Sequence, residues 1–356
     1  MKIGILTYHR AENFGAVLQA YALSSYLRSE KHDVEVIDYR SKNIERRYEI
    51  FSPGILLSRK NIYLSIKEYI GRFSNIADRR TKKRKFEEFR KNLPLSKPVR
   101  ARREIGTYDI IITGSDQVWN FHINKGDENV YLLNFGSESL MRVSYAASSE
   151  RNGLSRIPES QLREAFDRFD KISVREQFLK DIVGKLTNKK VSVCVDPVFL
   201  LSASEYEDVC MKPRERKYIL VFHMTYSREL VEFASKLAMN KGLRLIECFG
   251  GFAAHQKSAD SICNWGPQEL LGLIANAEVV FTTSFHGLAF SLILHRNVWL
   301  INKGDNCRQH SLLHLAGLDH RMLKTFDQYN EQPIDFDSVD SKLAPVIKES
   351  KDFLRF

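Results

Sequence analysis

A chain of 356 residues is longer than one average core and shorter than three, so its length favours two packed domains. Hydrophobic residues at 43% and charged residues at 28%, with 9 prolines and 18 glycines spread along the chain, exclude a disordered, low-complexity or collagenous protein. The net charge of +10 is local, because residues 79–103 hold twelve Lys or Arg against Glu87 and Glu88 and the remainder is balanced.

Met1 leads into the apolar run Ile3–Leu6, too short for a secretory segment, and no apolar run approaches the ~20 residues that span a bilayer. The next polar cluster precedes an alanine-rich helix over 14–27, and DVEVID completes a βαβ unit; Ala16, Ala20, Leu23 and Leu27 fall at helical spacing. A basic helical excursion follows, with Ile62, Ile66, Tyr69, Ile70 and Phe73 marking one helix and Phe86 and Phe89 a second. Strand patterns resume at YDIIITG, RVSYAAS, KISVRE and VSVCVDP, with helices over 159–169 and 176–183. Continuous apolar strands divided by helices predict a parallel sheet covered on both faces.

The alternation restarts after Arg216, with KYILVFH, LRLIECF, EVVFTTS and NVWLIN separated by helices over 227–240 and 268–276 and one beginning at His286; a further helix falls near Ser311. The expected domains are 1–210, carrying a basic helical insertion at about 45–103, then 211–335, then a helical tail over 336–356. The predicted fold class is α/β, two Rossmann-like doubly wound domains facing a cleft. Ligands of such folds bind at the carboxyl ends of the strands.

Polar residues do cluster at those ends. After the first strand, Asn13 suits a helix N-cap and Gly15 admits a ligand near the helix start. After YDIIITG, Asp116 and Gln117 offer hydrogen bonds and Trp119 an apolar platform, a pairing that suits a sugar ring. After EVVF, the run Thr282-Thr283-Ser284-Phe285-His286-Gly287 sets a histidine in a first helical turn, where backbone N–H groups favour an anion. Arg175 closes KISVRE, Lys303 and Arg308 follow NVWLIN, and Gly250-Gly251 follows LRLIEC as a candidate phosphate turn. Neither a G-x-G-x-x-G nor a G-x-x-x-x-G-K-[ST] motif occurs. His310 and His314 lack the glutamate of H-E-x-x-H, and the five cysteines contain no C-x-x-C pair, so the sequence predicts no metal site and a reducing compartment.

In this order, Asn13–Leu23, Gly114–Asn120, Tyr145–Ser148, Ser173–Glu176, Val195–Leu201 and Thr283–Gly287 resemble the polysaccharide pyruvyl transferases. The resemblance implies a GT-B-like architecture, similar to nucleotide-sugar glycosyltransferases. It also implies transfer of the pyruvyl group of phosphoenolpyruvate onto two sugar hydroxyls, giving a cyclic ketal and phosphate with no cofactor. On this basis His286 and Arg175 are expected to be catalytic, with Ser284, Gly287, Lys303, Arg308, Gly250 and Gly251 on the donor and Asn13, Gly15, Asp116, Gln117 and Trp119 on the acceptor. Ser284 stands where relatives can carry a second donor-binding arginine, and Arg308 or Lys303 is the candidate to replace that charge. The expected partners are phosphoenolpyruvate and a sugar acceptor, which a lipid diphosphate carries if the 79–103 segment meets an anionic membrane. The expected location is cytoplasmic, peripheral at the membrane face. The competing readings are a nucleotide-sugar-dependent glycosyltransferase and, with its aromatic interleaving sparse, a nucleic-acid-binding protein.

Overall fold

Six apolar runs in the first half of the chain fold as the strands β1 (Lys2–Leu6), β2 (Asp33–Val36), β3 (Ile110–Thr113), β4 (Met141–Ala147), β5 (Lys171–Val174) and β6 (Val191–Val193). They form one parallel sheet in the order β2-β1-β3-β4-β5-β6. The computed structural model describes residues 1–49, 76–224, 226–250, 261–262, 264–301 and 307–356. The central strands β1, β3 and β4 are buried along almost their whole length, which is why they read as unbroken apolar sequence.

Helix α1 (Phe14–Ser29) starts at Asn13, whose side chain accepts the N–H of Ala16 at 3.3 Å, and α2 (Lys42–Tyr48) is capped in the same way by Ser41. After α3 (Ile76–Arg90) come α4 (Glu159–Asp167) and α5 (Gln177–Gly184). The core of this first unit gathers Trp119, Phe121, Tyr131, Phe166, Phe169 and their neighbours.

The second sheet contains β7 (Tyr218–His223), β8 (Arg244–Phe249), β9 (Ser261–Ile262), β10 (Val279–Thr282), β11 (Val298–Ile301) and β12 (Met322–Leu323), again all parallel, in the order β12-β11-β10-β7-β8-β9. Its helices are α6 (Arg228–Asn240), α7 (Pro267–Ala275), α8 (Phe285–Ile293) and α9 (Cys307–Ala316), and α10 (Phe336–Phe353) closes the chain. Phe233 stacks on Phe326 at 4.7 Å and meets Phe281 edge-on, tying α6 to the sheet.

The chain divides into two compact units, the first of 1–49, 90–201 and 346–356, the second of the described residues of 50–89 and 202–345. The chain passes out of the first unit after Leu201, and the end of α10 returns to it, with Ser350 Oγ accepting the N–H of Val195 at 3.0 Å. The basic stretch departs from expectation. Instead of forming an insertion of the first unit, residues 76–89 bond to the second: Lys82 Nζ donates to Gly250 O (3.3 Å), Asn264 Nδ2 donates to Asp78 Oδ1 (3.1 Å) and Lys85 pairs with Glu269 (2.6 Å). The helix marked by Ile62, Ile66, Tyr69, Ile70 and Phe73 lies outside the described residues. Among the described residues, no helix is long and apolar enough to cross a membrane.

Candidate functional site

Each sheet reverses its strand order once, between β1 and β3 in the first unit and between β7 and β10 in the second. At such a point neighbouring loops leave in opposite directions and open a crevice at the carboxyl ends of the strands. Two of the polar clusters of the sequence flank the first reversal, and the histidine run lies at the second.

In the first unit the β1 and β3 loops are joined through Gln19. Its Nε2 donates to Thr7 Oγ1 (2.7 Å) and its Oε1 accepts the N–H of Ser115 (3.2 Å). Tyr8 OH donates to the carbonyl of Gln117 (2.9 Å) and accepts from Asn124 Nδ2 (2.7 Å), which fixes the loop from a second side. The Gly114–Ser115 peptide is cis, and Asp116 takes φ 64°, a left-handed conformation that Asp tolerates better than most residues. Asn13, Asp116 and Gln117 are all part-exposed here, while Gly15 is buried in the first turn of α1.

Beneath this loop a charged cluster anchors β1. His9 Nε2 lies 3.0 Å from Asp38 Oδ1, Arg10 Nε donates to the same oxygen (2.6 Å), and Arg40 adds a second guanidinium. Burial opposes the charge on Asp38, but His9 and Arg10 outweigh it and hold the carboxyl far below the usual range. Arg90 donates to the carbonyls of His9, Arg10 and Ala11.

Two assignments in this unit need correction. Trp119 is fully buried, edge-on to Phe166 (5.0 Å) and Phe169, with Nε1 donating to Tyr131 O (3.2 Å), so its indole has no face to offer a sugar. Tyr48, at the end of α2, is a part-exposed aromatic ring that feels Asp116: burial and then the Asp116 carboxylate raise its pKa. Arg175 is not an open anion receptor. Its guanidinium contacts Asp196, Glu176 Oε1 (3.2 Å) and Ser148 Oγ (2.9 Å), and although burial works against its charge, Glu176 and Asp196 outweigh that effect and raise its pKa.

In the second unit, Thr282 Oγ1 donates to Phe222 O (2.7 Å) and accepts the N–H of Ser284 (3.0 Å), while Thr283 Oγ1 accepts the N–H of Met224 (3.1 Å). These bonds lock the β10 loop against the end of β7. Ser284 caps α8 by accepting the Gly287 N–H (3.4 Å), and His286 follows in the first turn, half-buried. Ser284 and Gly287 therefore serve each other. A Cβ at Gly287 would stand 2.4 Å from Thr282 Oγ1 and 2.7 Å from Phe222, so glycine is required there for close packing.

Gly250 likewise departs from its expected phosphate role: its N–H donates to His223 O (2.9 Å), its carbonyl accepts Lys82, and a Cβ would meet Met224 Sδ at 2.2 Å. Gly251 and Lys303 lie outside the described residues. Arg308 is half-buried at the start of α9, and the next residue, Gln309, donates to Thr283 O (3.4 Å), which ties the start of that helix to the histidine loop.

Sequence reasoning missed several members of these clusters. Gln19 sits mid-helix, and Tyr48 ends a short helix with no strand beside it. His223 closes β7, is fully buried, and has Nε2 2.8 Å from Glu247 Oε1 on β8; a histidine ending the run KYILVFH was the available signal. Among the described residues no group of three His, Cys, Asp or Glu is placed to hold a metal.

Comparison with known proteins agrees with the resemblance read from the motifs. No protein of curated function matches the chain. Among solved structures, the chain aligns with UDP-GlcNAc 2-epimerase of Neisseria meningitidis at 11% identity over 99% of this chain and 93% of that one, TM-score 0.47. The enzyme of the same name from Methanocaldococcus jannaschii aligns at 13% over 98% and 100%, TM-score 0.46, and ADP-heptose heptosyltransferase II of E. coli at 12% over 99% and 100%, TM-score 0.34. Likenesses of this depth carry no inference about the chain. The family model described as polysaccharide pyruvyl transferase matches residues 13–304, a span that begins at the Asn13 cap of α1 and holds the loops after β3 and β10. The chain belongs to the polysaccharide pyruvyl transferase family.

Proposed function

We propose that this protein transfers the pyruvyl group of phosphoenolpyruvate onto two hydroxyls of a sugar, closing a cyclic ketal and releasing phosphate. The observation that carries this reading is the half-buried His286 in the first turn of α8, at the strand-order reversal of the second sheet, in a chain of this family. His286 acts as the general acid and protonates the enol carbon of the donor. The adjacent carbon gains cationic character, one sugar hydroxyl attacks it, the bond to phosphate breaks, and the second hydroxyl closes the ring. Of the two hydroxyl protons, one restores the acid and one leaves with the phosphate. The electrons of the double bond end in the new C–H bond, so the balance calls for no oxidant or reductant.

Arg308 is the candidate cation for the donor's phosphate or carboxylate, since Arg175 is committed to carboxylates of its own unit. Asn13, Asp116 and Gln117 are assigned to acceptor hydroxyls, with Tyr48 in place of Trp119 as the apolar platform. The test is phosphate release from phosphoenolpyruvate against a panel of galactosides, glucosides and mannosides, with nucleotide sugars as the competing donor. Sugar-dependent phosphate release supports the reading, whereas turnover of a nucleotide sugar alone overturns it.

A lipid-linked acceptor at an anionic membrane face extends this proposal. Its support is narrower than the charge run suggests, because Arg79, Lys82 and Arg90 are buried. Arg80, Lys83 and Arg84 are exposed on α3, and each contributes about 1 kcal/mol near an anionic surface. Changing these three to Gln should reduce sedimentation with anionic vesicles; unaltered sedimentation removes the membrane from the proposal.

A further inference from the structure

We propose that a second site, at the amino ends of the second sheet, binds a small oxyanion through Arg321. A cavity of about 550 Å³ opens there, within the size range of small-ligand sites. Its lining includes Glu278 and Asn297, which immediately precede β10 and β11. His286 follows the opposite end of β10, roughly 13 Å away for a strand of this length. A ligand in the cavity is therefore not the reactant bound at His286, and the inference stands apart from the proposed reaction.

Arg321 gives the cavity its chemistry. It is 1% exposed, and its guanidinium lies over the Trp299 ring at 4.6 Å. Nη2 donates to the carbonyl of Gln332, Nε has no partner, and no carboxylate pairs with the group among the described residues. A guanidinium carries five N–H donors, and a buried charge without a counter-ion is strongly unfavourable. Burial lowers its pKa, with Tyr329 opposing.

The other charges on the wall do not resolve this. Glu331 is taken by Lys241 at 2.5 Å, and Glu278 and Lys217 are exposed at the rim. Asp319, two residues before the arginine, pairs with His314. The planar fork of Arg321 matches a carboxylate or a phosphate in two-point contact. Such an oxyanion would come from a polycarboxylate or from a phosphate ester.

The test uses the full chain in zwitterionic buffer at ionic strength fixed with NaCl, titrated calorimetrically with citrate and, separately, with inorganic phosphate. Saturable binding of one of them at one site per chain is expected, and whichever saturates identifies the source chemistry. Arg321→Met should weaken that binding at least tenfold, Lys217→Gln about threefold, and His286→Ala should leave it within twofold. No saturable binding of either probe overturns the proposal, as does binding lost with His286→Ala but kept with Arg321→Met. Should Arg321→Met not fold, the exposed Lys217→Gln decides, and unchanged binding in that variant overturns the proposal.

Discussion

Replacing Asp38 by Asn should loosen the carboxyl end of β1, because one carboxylate holds the guanidinium groups of Arg10 and Arg40 and the imidazole of His9 at the first strand-order reversal. Asp38 is 2% exposed in its side chain, His9 is fully buried and Arg10 is 9% exposed, so little water is at hand to replace the lost charge. Breaking a buried network by removing one partner costs about 3–5 kcal/mol. For a unit of this size each kcal/mol lowers Tm by roughly 2–4 °C, which gives a fall of roughly 6–20 °C. Scanning calorimetry is the assay, with separate transitions fitted if the two units melt apart.

The pH dependence carries its own sign. The folded pKa of Asp38 is depressed, so its contribution is complete above the unfolded value of about 3.9 and is lost as pH falls below it. Burial pushes His9 below its usual range, with Asp38 opposing, so the unfolded state takes up its proton first as pH falls through about 6.5. Wild-type Tm should therefore decline below about pH 6.5 and again below about pH 4, and the lower step should be smaller in Asp38→Asn. A Tm loss under about 2 °C at neutral pH, or an unchanged step below pH 4 in the variant, would refute the reasoning.

Two further substitutions separate packing from binding. Trp119→Ala should cost about 3–5 kcal/mol of stability as a core deletion, whereas Tyr48→Ala should raise the sugar KM with a smaller stability loss; calorimetry and acceptor titration of both variants check this. At Gly287, alanine gains roughly 1 kcal/mol of helix propensity but meets Thr282 and Phe222, an overpacking cost of about 1–3 kcal/mol, so Gly287→Ala should be no more stable than wild type and slower in turnover. A variant both stabilised and fully active would return Gly287 to ordinary helix.

Most of the strands were legible because a parallel strand buried on both faces must be apolar throughout, as IIIT, VVFT and VWLI are. β9 and β12 have two residues each, too few to show a period. The loops after β1, β3 and β10 were legible as polar clusters following apolar strands. Which member faces solvent was not, since Trp119 and Tyr48 differ only in the tertiary packing around them. The basic stretch misled because charge was weighed without period: Arg79, Lys82, Phe86 and Phe89 share one face of α3, and that face is buried. Long aliphatic stems let Lys and Arg join such a face while their end groups reach carbonyls, as Lys82 does at Gly250.

Phosphoenolpyruvate labelled with ¹³C at its second carbon follows the proposed reaction at the atom where it occurs. Incubated with the full chain and an accepting glycoside, it should give a new quaternary ketal carbon signal together with free phosphate. His286→Gln should slow the appearance of that signal by about 10²–10⁴. Phosphate release without a ketal carbon, or a ketal formed at the wild-type rate by His286→Gln, would contradict the account.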